Sequence, residues 1–210
     1  MRVTPGVLRP SLALILALPI LAAPGQAHAG GFFEIGGGIA IPMADDNWTD
    51  AVETSPKLTV KAGSVPGKVG GAVSFDWTPE NTDAQGFSNG IGNADISANR
   101  FRILANLLFQ VPVQKKLHFE GRAGIGVDIA HASVSGSVLG VNFDTSDTDA
   151  GLGLEVGAGM WFDVGSVQVG AQVALPIAMH NHKADNNDEI TFDYTSYDFD
   201  LLFGVRFVSR

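Results

Sequence analysis

The stretch RFRILANLLFQVPVQKKLHFEGRAGIGVDIA, residues 100–130, decides the fold. Up to residue 111 its odd positions are Phe101, Ile103, Ala105, Leu107, Phe109 and Val111. Its even positions are Arg100, Arg102, Leu104, Asn106, Leu108 and Gln110. Beyond VPVQKK the alternation resumes, with Leu117, Phe119, Ala123, Ile125, Val127 and Ile129 set against His118, Glu120, Arg122, Gly124, Gly126 and Asp128. Successive side chains of a strand point to opposite faces, so a period of two over this length means two strands joined by a short turn. One face of the hairpin is apolar and the other charged and glycine-rich. Which of the two turns inward is answered by the rest of the chain.

The same period recurs from residue 31 onward, with no stretch of helical period. Eight strands are expected, at about 31–42, 54–62, 68–78, 97–111, 117–133, 150–163, 167–179 and 195–208. The connections alternate. ADDNWTDAVE, PENTDAQGFSNGIGNA, SVSGSVLGVNFDTSDT and HNHKADNNDEITFD are long and polar, whereas GSVPG, PVQKK and DVGS are short. An up-and-down order then puts all long loops at one end, the asymmetry of outer-membrane barrels.

Before the first strand, Arg2 and Arg9 form a positive region ahead of the apolar run SLALILALPILAA (11–23), and Ala27-His28-Ala29 fits a small-x-small cleavage pattern. The run falls short of the about 20 apolar residues that a spanning helix needs and contains Pro19. Residues 1–29 therefore read as a signal peptide and 30–210 as one domain. The chain has no cysteine, which excludes disulfides and thiolate metal sites. Its net charge of −9 argues against nucleic acid as a partner.

Two barrels fit simple alternation: a soluble lipocalin-like barrel with its apolar face inside, and a membrane barrel with that face toward lipid. Aromatic position favours the second. Phe33, Phe109, Phe119, Phe162 and Phe207 fall near the tight-turn ends of the apolar face, and Trp77, Phe101, Tyr197 and Phe199 near the opposite ends. These are two girdles, as at two lipid–water interfaces. The polar face carries many glycines together with Glu34, Lys68, Asp76, Arg100, Arg102, Glu120, Arg122, Asp128, Glu155 and Arg206. Buried charges persist only when paired, and both signs are present. These ten are expected to form a charge network in the lumen of an all-β, eight-stranded antiparallel transmembrane barrel. Trp161 falls on the lumen side, as a plug near the tight-turn end or as a local bulge.

The glycine-rich opening strand FFEIGGGIAIP, the eight strands and the aromatic closing strand YDFDLLFGVRF together resemble the small outer-membrane β-barrel proteins, the OmpA-type barrel in particular. The resemblance covers residues 30–210. It implies an outer-membrane location, lipids and the barrel-insertion machinery as partners, and a structural or surface-interaction role through the acidic loops. Such barrels usually close on a terminal aromatic; here Val208, Ser209 and Arg210 follow Phe207.

Chemistry is thinly signalled. GLGLEVGAG (151–159) alternates with Leu152, Leu154 and Val156 and no helix follows, so it lacks the strand–turn–helix context of a phosphate loop. HNHKADNNDE (180–189) reads as a solvated loop, since His180, His182, Asp185, Asp188 and Glu189 match no defined metal spacing. His131 with Ser133, Ser135 and Asp198 or His180 is the one grouping that an outer-rim active site would use. No enzyme, cofactor or metal is expected. A narrow pore for small solutes is the alternative function; a plug of paired charges is favoured over it, because eight strands leave an interior that side chains just fill.

Overall fold

The computed structural model describes residues 30–43, 53–80, 92–138, 141–183 and 191–209. The expected signal peptide, the acidic segment 45–50 and Asp185, Asp188 and Glu189 lie outside the described residues, as does the side chain of His182. Eight strands follow in order: β1 (Gly31–Pro42), β2 (Ser55–Ser64), β3 (Val69–Glu80), β4 (Gly92–Gln114), β5 (Leu117–Val138), β6 (Val141–Val164), β7 (Val167–Lys183) and β8 (Thr191–Val208). Each pairs antiparallel with the next, and β8 returns to β1, closing the barrel. Closure leaves no strand edge along the wall, where unpaired backbone groups would otherwise face lipid.

The tight turns follow local chemistry. Gly165, at a φ of 70°, makes the two-residue β6–β7 turn that glycine adopts without a steric penalty. In the β4–β5 hairpin the register shifts between Pro112 and Gln114, where proline has no N–H to give the ladder.

The alternation of residues 100–130 resolves as a polar interior. Leu107 and Phe203 leave 62% of their surface exposed, whereas Glu34, Asp128 and Asp200 leave none. A water-soluble protein buries the opposite set, and an apolar surface of this extent has to be covered. The nine girdle aromatics all face outward. Phe33 pairs with Phe207, Val69 with Phe109, Val111 with Phe119 and Leu117 with Phe162, forming one belt beside the tight turns. Trp77 pairs with Phe101, Ile41 with Phe199 and Ile177 with Tyr197, forming the other.

Inside, bulk sits next to glycine. Leu104 pairs with Gly126, Asn106 with Gly124, Glu120 with Gly159, Arg122 with Gly157, Asp128 with Gly151 and Trp161 with Gly170. A narrow barrel accommodates large inward side chains by alternating them with small ones. At Gly38 the constraint is steric: an added Cβ would sit 1.9 Å from the Leu201 carbonyl oxygen.

Two expectations change. SVSGSVLGVNFDTSDT is not a long loop. β5 and β6 pair to the end, Val138 with Val141, so most of it is hairpin standing beyond the outer girdle. Its serines, threonines and aspartates resemble loop composition, but they continue a period of two. The other change is at Lys68, which lies exposed in the β2–β3 turn. Its even number matches Gly70 and Asp76, yet strand alternation begins only at Val69.

Candidate functional site

The interior holds thirteen buried charged side chains among the described residues. Six are cations (Lys57, Lys61, Arg100, Arg102, Arg122, Arg206) and seven carboxylates (Glu34, Asp76, Glu120, Asp128, Glu155, Asp198, Asp200). Taking such groups out of water costs several kcal/mol each, so each persists only with partners in place. Those partners come from different strands because inward positions of neighbouring strands fall in register.

At the tight-turn end Phe32, Ala72 and Leu108 cluster, with Val65 and Val208 packed on them. Directly above, the Arg206 guanidinium lies between two rings, 4.2 Å from the centroid of Phe32 and 4.0 Å from that of Trp161. Its edges donate to Glu34 Oε2 and to both oxygens of Glu120, each at 2.8 Å. A planar fork with five donors suits two carboxylates and two aromatic faces at once. Trp161 is fully buried, as the inward parity of its strand requires, and lies near Gly170 and Gly204; a Cβ at Gly170 would meet the indole at 2.6 Å.

In the next layer Lys61 donates to Glu34 at 3.1 Å and to Gln172 at 3.2 Å, while Arg122 donates to Glu155 at 2.6 Å and also to Gln172. Higher, Lys57 bonds Asp200 and lies 3.4 Å from Asp76. Toward the outer mouth Arg102 and Arg100 both donate to Asp128 at 2.8 Å, and Arg100 reaches Asp198 at 2.8 Å and Ser196. His180 turns one ring nitrogen to Asp128 at 3.1 Å and the other to Asp149 at 3.0 Å.

Of the ten residues expected in the lumen, all but Lys68 are therefore buried inside and bonded, or paired in register, across strands. Sequence reasoning missed Lys57, Lys61, Asp198, Asp200 and Gln172. The signal was available: Lys57, Thr59 and Lys61 alternate in SPKLTVKAGS, and Asp198 and Asp200 in YDFDLL. His180 was expected in a solvated loop, but it lies within β7, paired with Tyr194 of β8, and is buried.

The rim grouping around His131 is not assembled. His131 Nδ1 bonds Thr148 Oγ1 at 2.8 Å and Ser133 Oγ bonds Ser97 Oγ at 2.8 Å, on the outward face. Asp198 and His180 are turned into the barrel. GLGLEVGAG lies within β6, with its glycines and Glu155 on the inner face and Leu152 and Val156 on the outer wall. Among the described residues no cluster of histidines and carboxylates has the arrangement of a metal site.

A closed antiparallel barrel with an apolar outer wall, two aromatic belts and a paired polar interior is a transmembrane β-barrel. The chain belongs to the family of the outer membrane protein beta-barrel domain, whose pattern it matches over residues 12–207. It is an outer-membrane protein whose barrel has eight strands. Its fold is similar to that of Neisserial surface protein A (TM-score 0.53, 14% identity, 84% of this chain and 96% of that one). It is also similar to a major outer membrane protein from Thermus thermophilus (TM-score 0.54, 11% identity, 87% of this chain and 100% of that one). No curated protein matches the sequence.

Proposed function

We propose that this protein is a non-conducting barrel of the outer membrane with a structural and surface-interaction role, its lumen closed by ion-paired side chains. The observation that carries this reading is the stack Phe32–Arg206–Trp161, clamped by Glu34 and Glu120 across the tight-turn end. An ion would have to part a guanidinium from two carboxylates and two rings in a low-dielectric interior, where separated charges are costly. With passage blocked, the parts left to meet partners are the acidic outer loops and the strand ends beneath them. Residues 1–29 are read as a cleaved signal peptide, and the barrel-insertion machinery as the partner that delivers the domain to the membrane.

The test is conductance. The full chain, shown to be folded by a gel shift that appears only on boiling, is inserted into planar bilayers. The expected result is no stable current step under applied voltage. Regular ion-selective steps from the unmodified protein would favour a narrow pore instead.

A further inference from the structure

The wall of the barrel parts between β6 and β7. Their ladder ends outward at Leu152–Met179, yet both strands go on. β7 continues with β8 as far as Lys183–Thr191, and β6 continues with β5 as far as Val138–Val141. Among the described residues nothing pairs with the other edge of β6 over residues 141–151. Ala150 shares a row with Ile129 and Phe101, so residues 142–149 stand beyond the outer girdle, in water. Residues of an antiparallel pair alternate between bonding across and bonding away. Val138 and Val141 close a two-residue connection as a hydrogen-bonded pair, so the even residues of β6 turn their backbone groups away from β5. Thr148 is in the same phase, and its N–H donates to Asp147 Oδ1 at 2.9 Å. Asp144 and Ser146 thus aim N–H and C=O groups at the unpaired edge.

We propose that this edge receives an extended, lysine- or arginine-bearing segment of another protein as an added strand. An exposed edge is ordinarily blunted by a proline, a lysine or a bulge. This one has none of the three: residues 141–151 contain no proline or lysine, and the pairing with β5 runs without a shift from Val141 to Phe162. It carries Asp144, Asp147 and Asp149 instead, and no lysine or arginine lies between His131 and Gly151. Asp144 and Asp147 are exposed on opposite faces of the sheet, so a strand laid along the edge meets a carboxylate on either side. The backbone ladder supplies the contact, and the carboxylates select the charge. Charge also decides among occupants. A second copy would bring the same aspartates and no cation. The chain's own outer connections, 44–52, 81–91 and 184–190, contain no lysine or arginine. A polyanion would meet like charge. The inference rests on the surface-interaction reading, for which it names a partner class, and lumen closure does not enter it.

The test uses the full chain in nanodiscs of zwitterionic lipid and a short labelled peptide of alternating lysine and threonine. Binding is read by fluorescence anisotropy, and backbone hydrogen exchange is followed at residues 144 and 146. The expected result is saturable binding that slows exchange at both amides several-fold. The same peptide N-methylated at every second residue keeps its charge but loses the donors along one edge, and should bind roughly tenfold more weakly. A peptide with glutamate in place of lysine should not bind. Ser146→Pro, folded by the boiling shift, should weaken binding to a similar degree, since the N–H it removes faces the open edge and not β5. Equal binding of the methylated peptide overturns the proposal whether or not the variant folds. So does the absence of saturable binding, and so do amides 144 and 146 that already exchange slowly in the free protein, which would mean that the edge is covered. Binding that survives Ser146→Pro would place the interaction elsewhere, overturning the edge and keeping the surface-interaction reading. Current steps in the bilayer experiment would sink the closed-lumen reading and leave this result standing.

Discussion

The strands β4, β5 and β6 run through two solvents, and they treat them differently. Between the girdles, outward positions are Phe101, Ile103, Leu107, Ile125, Ile129 and Leu152, and inward ones include Arg100, Arg102, Glu120, Arg122 and Asp128. Beyond the outer girdle the outward positions become Ser97, Asn99, His131, Ser133, Ser146 and Thr148, and the inward ones between them are Ala98, Ala132 and Asp147. Nothing in the backbone marks the change, since the pairing runs unbroken from Gly92–Val138 to Val111–Phe119. A period of two therefore identifies a strand, while its phase identifies what lies on each side. Where the outward face stops being apolar, the membrane ends.

If that contrast is real, the inner face of the spanning part should tolerate least. Arg206 is held by Glu34 and Glu120, and removing it leaves two carboxylates buried without their cation. Arg206→Met is expected to cost about 3–5 kcal/mol, by analogy with other broken buried pairs. Urea unfolding from detergent or liposomes measures it, and a loss under about 1 kcal/mol would mean that water reaches Glu34 and Glu120 freely.

The outer face separates the two regions more directly. Ala105→Arg places a cation on the lipid side midway between the belt residues Phe101 and Phe109 and should cost about 2–4 kcal/mol. Ser133→Arg places the same cation on the same face of the neighbouring strand, beyond the girdle, and should stay within about 0.5 kcal/mol. Equal costs in the same unfolding assay would move the membrane boundary and erase the comparison.

How much of this was legible beforehand follows the same division. The spanning strands were readable because lipid and lumen impose opposite demands at every second residue, so Phe101 to Val111 and Leu117 to Ile129 could hardly be anything else. The upright part of β5 and β6 was not, because hydroxyls and aspartates on a solvated sheet have the composition of a loop; only pairing across to β4 distinguishes them. Lys57 and Lys61 were missed for a related reason. β2 is short, and Pro56 obscured a register that Glu34, paired with Lys61, makes plain. Lys68 failed the other way, by extending a strand's parity one residue into its turn. Trp161 could be placed inside by parity, but not as the ring under Arg206, since that contact joins β6 to β8.

Glu80 sits at the seam between the two regions and gives the smallest and most specific test. It pairs with Ala98, one row beyond Asn99, and so lies outside the spanning segment, with Arg100 Nη1 3.7 Å from its carboxylate. Burial pushes its carboxyl up to about 7; Arg100 opposes this, and Asp198 and Asp128 add to it. A carboxyl that titrates higher in the folded chain than in the unfolded one holds its proton more tightly when folded. Its stabilisation is whole below about 4.5 and is lost as the pH rises toward 7. Wild type should thus lose on the order of 2 kcal/mol relative to Glu80→Gln between pH 4.5 and 7.5, the amide being unable to ionise. The difference between the two proteins is the quantity to follow, because every other ionisable group is common to both. A difference that stays flat across that window would show Glu80 to be well solvated, and would put the seam one row closer to the girdle.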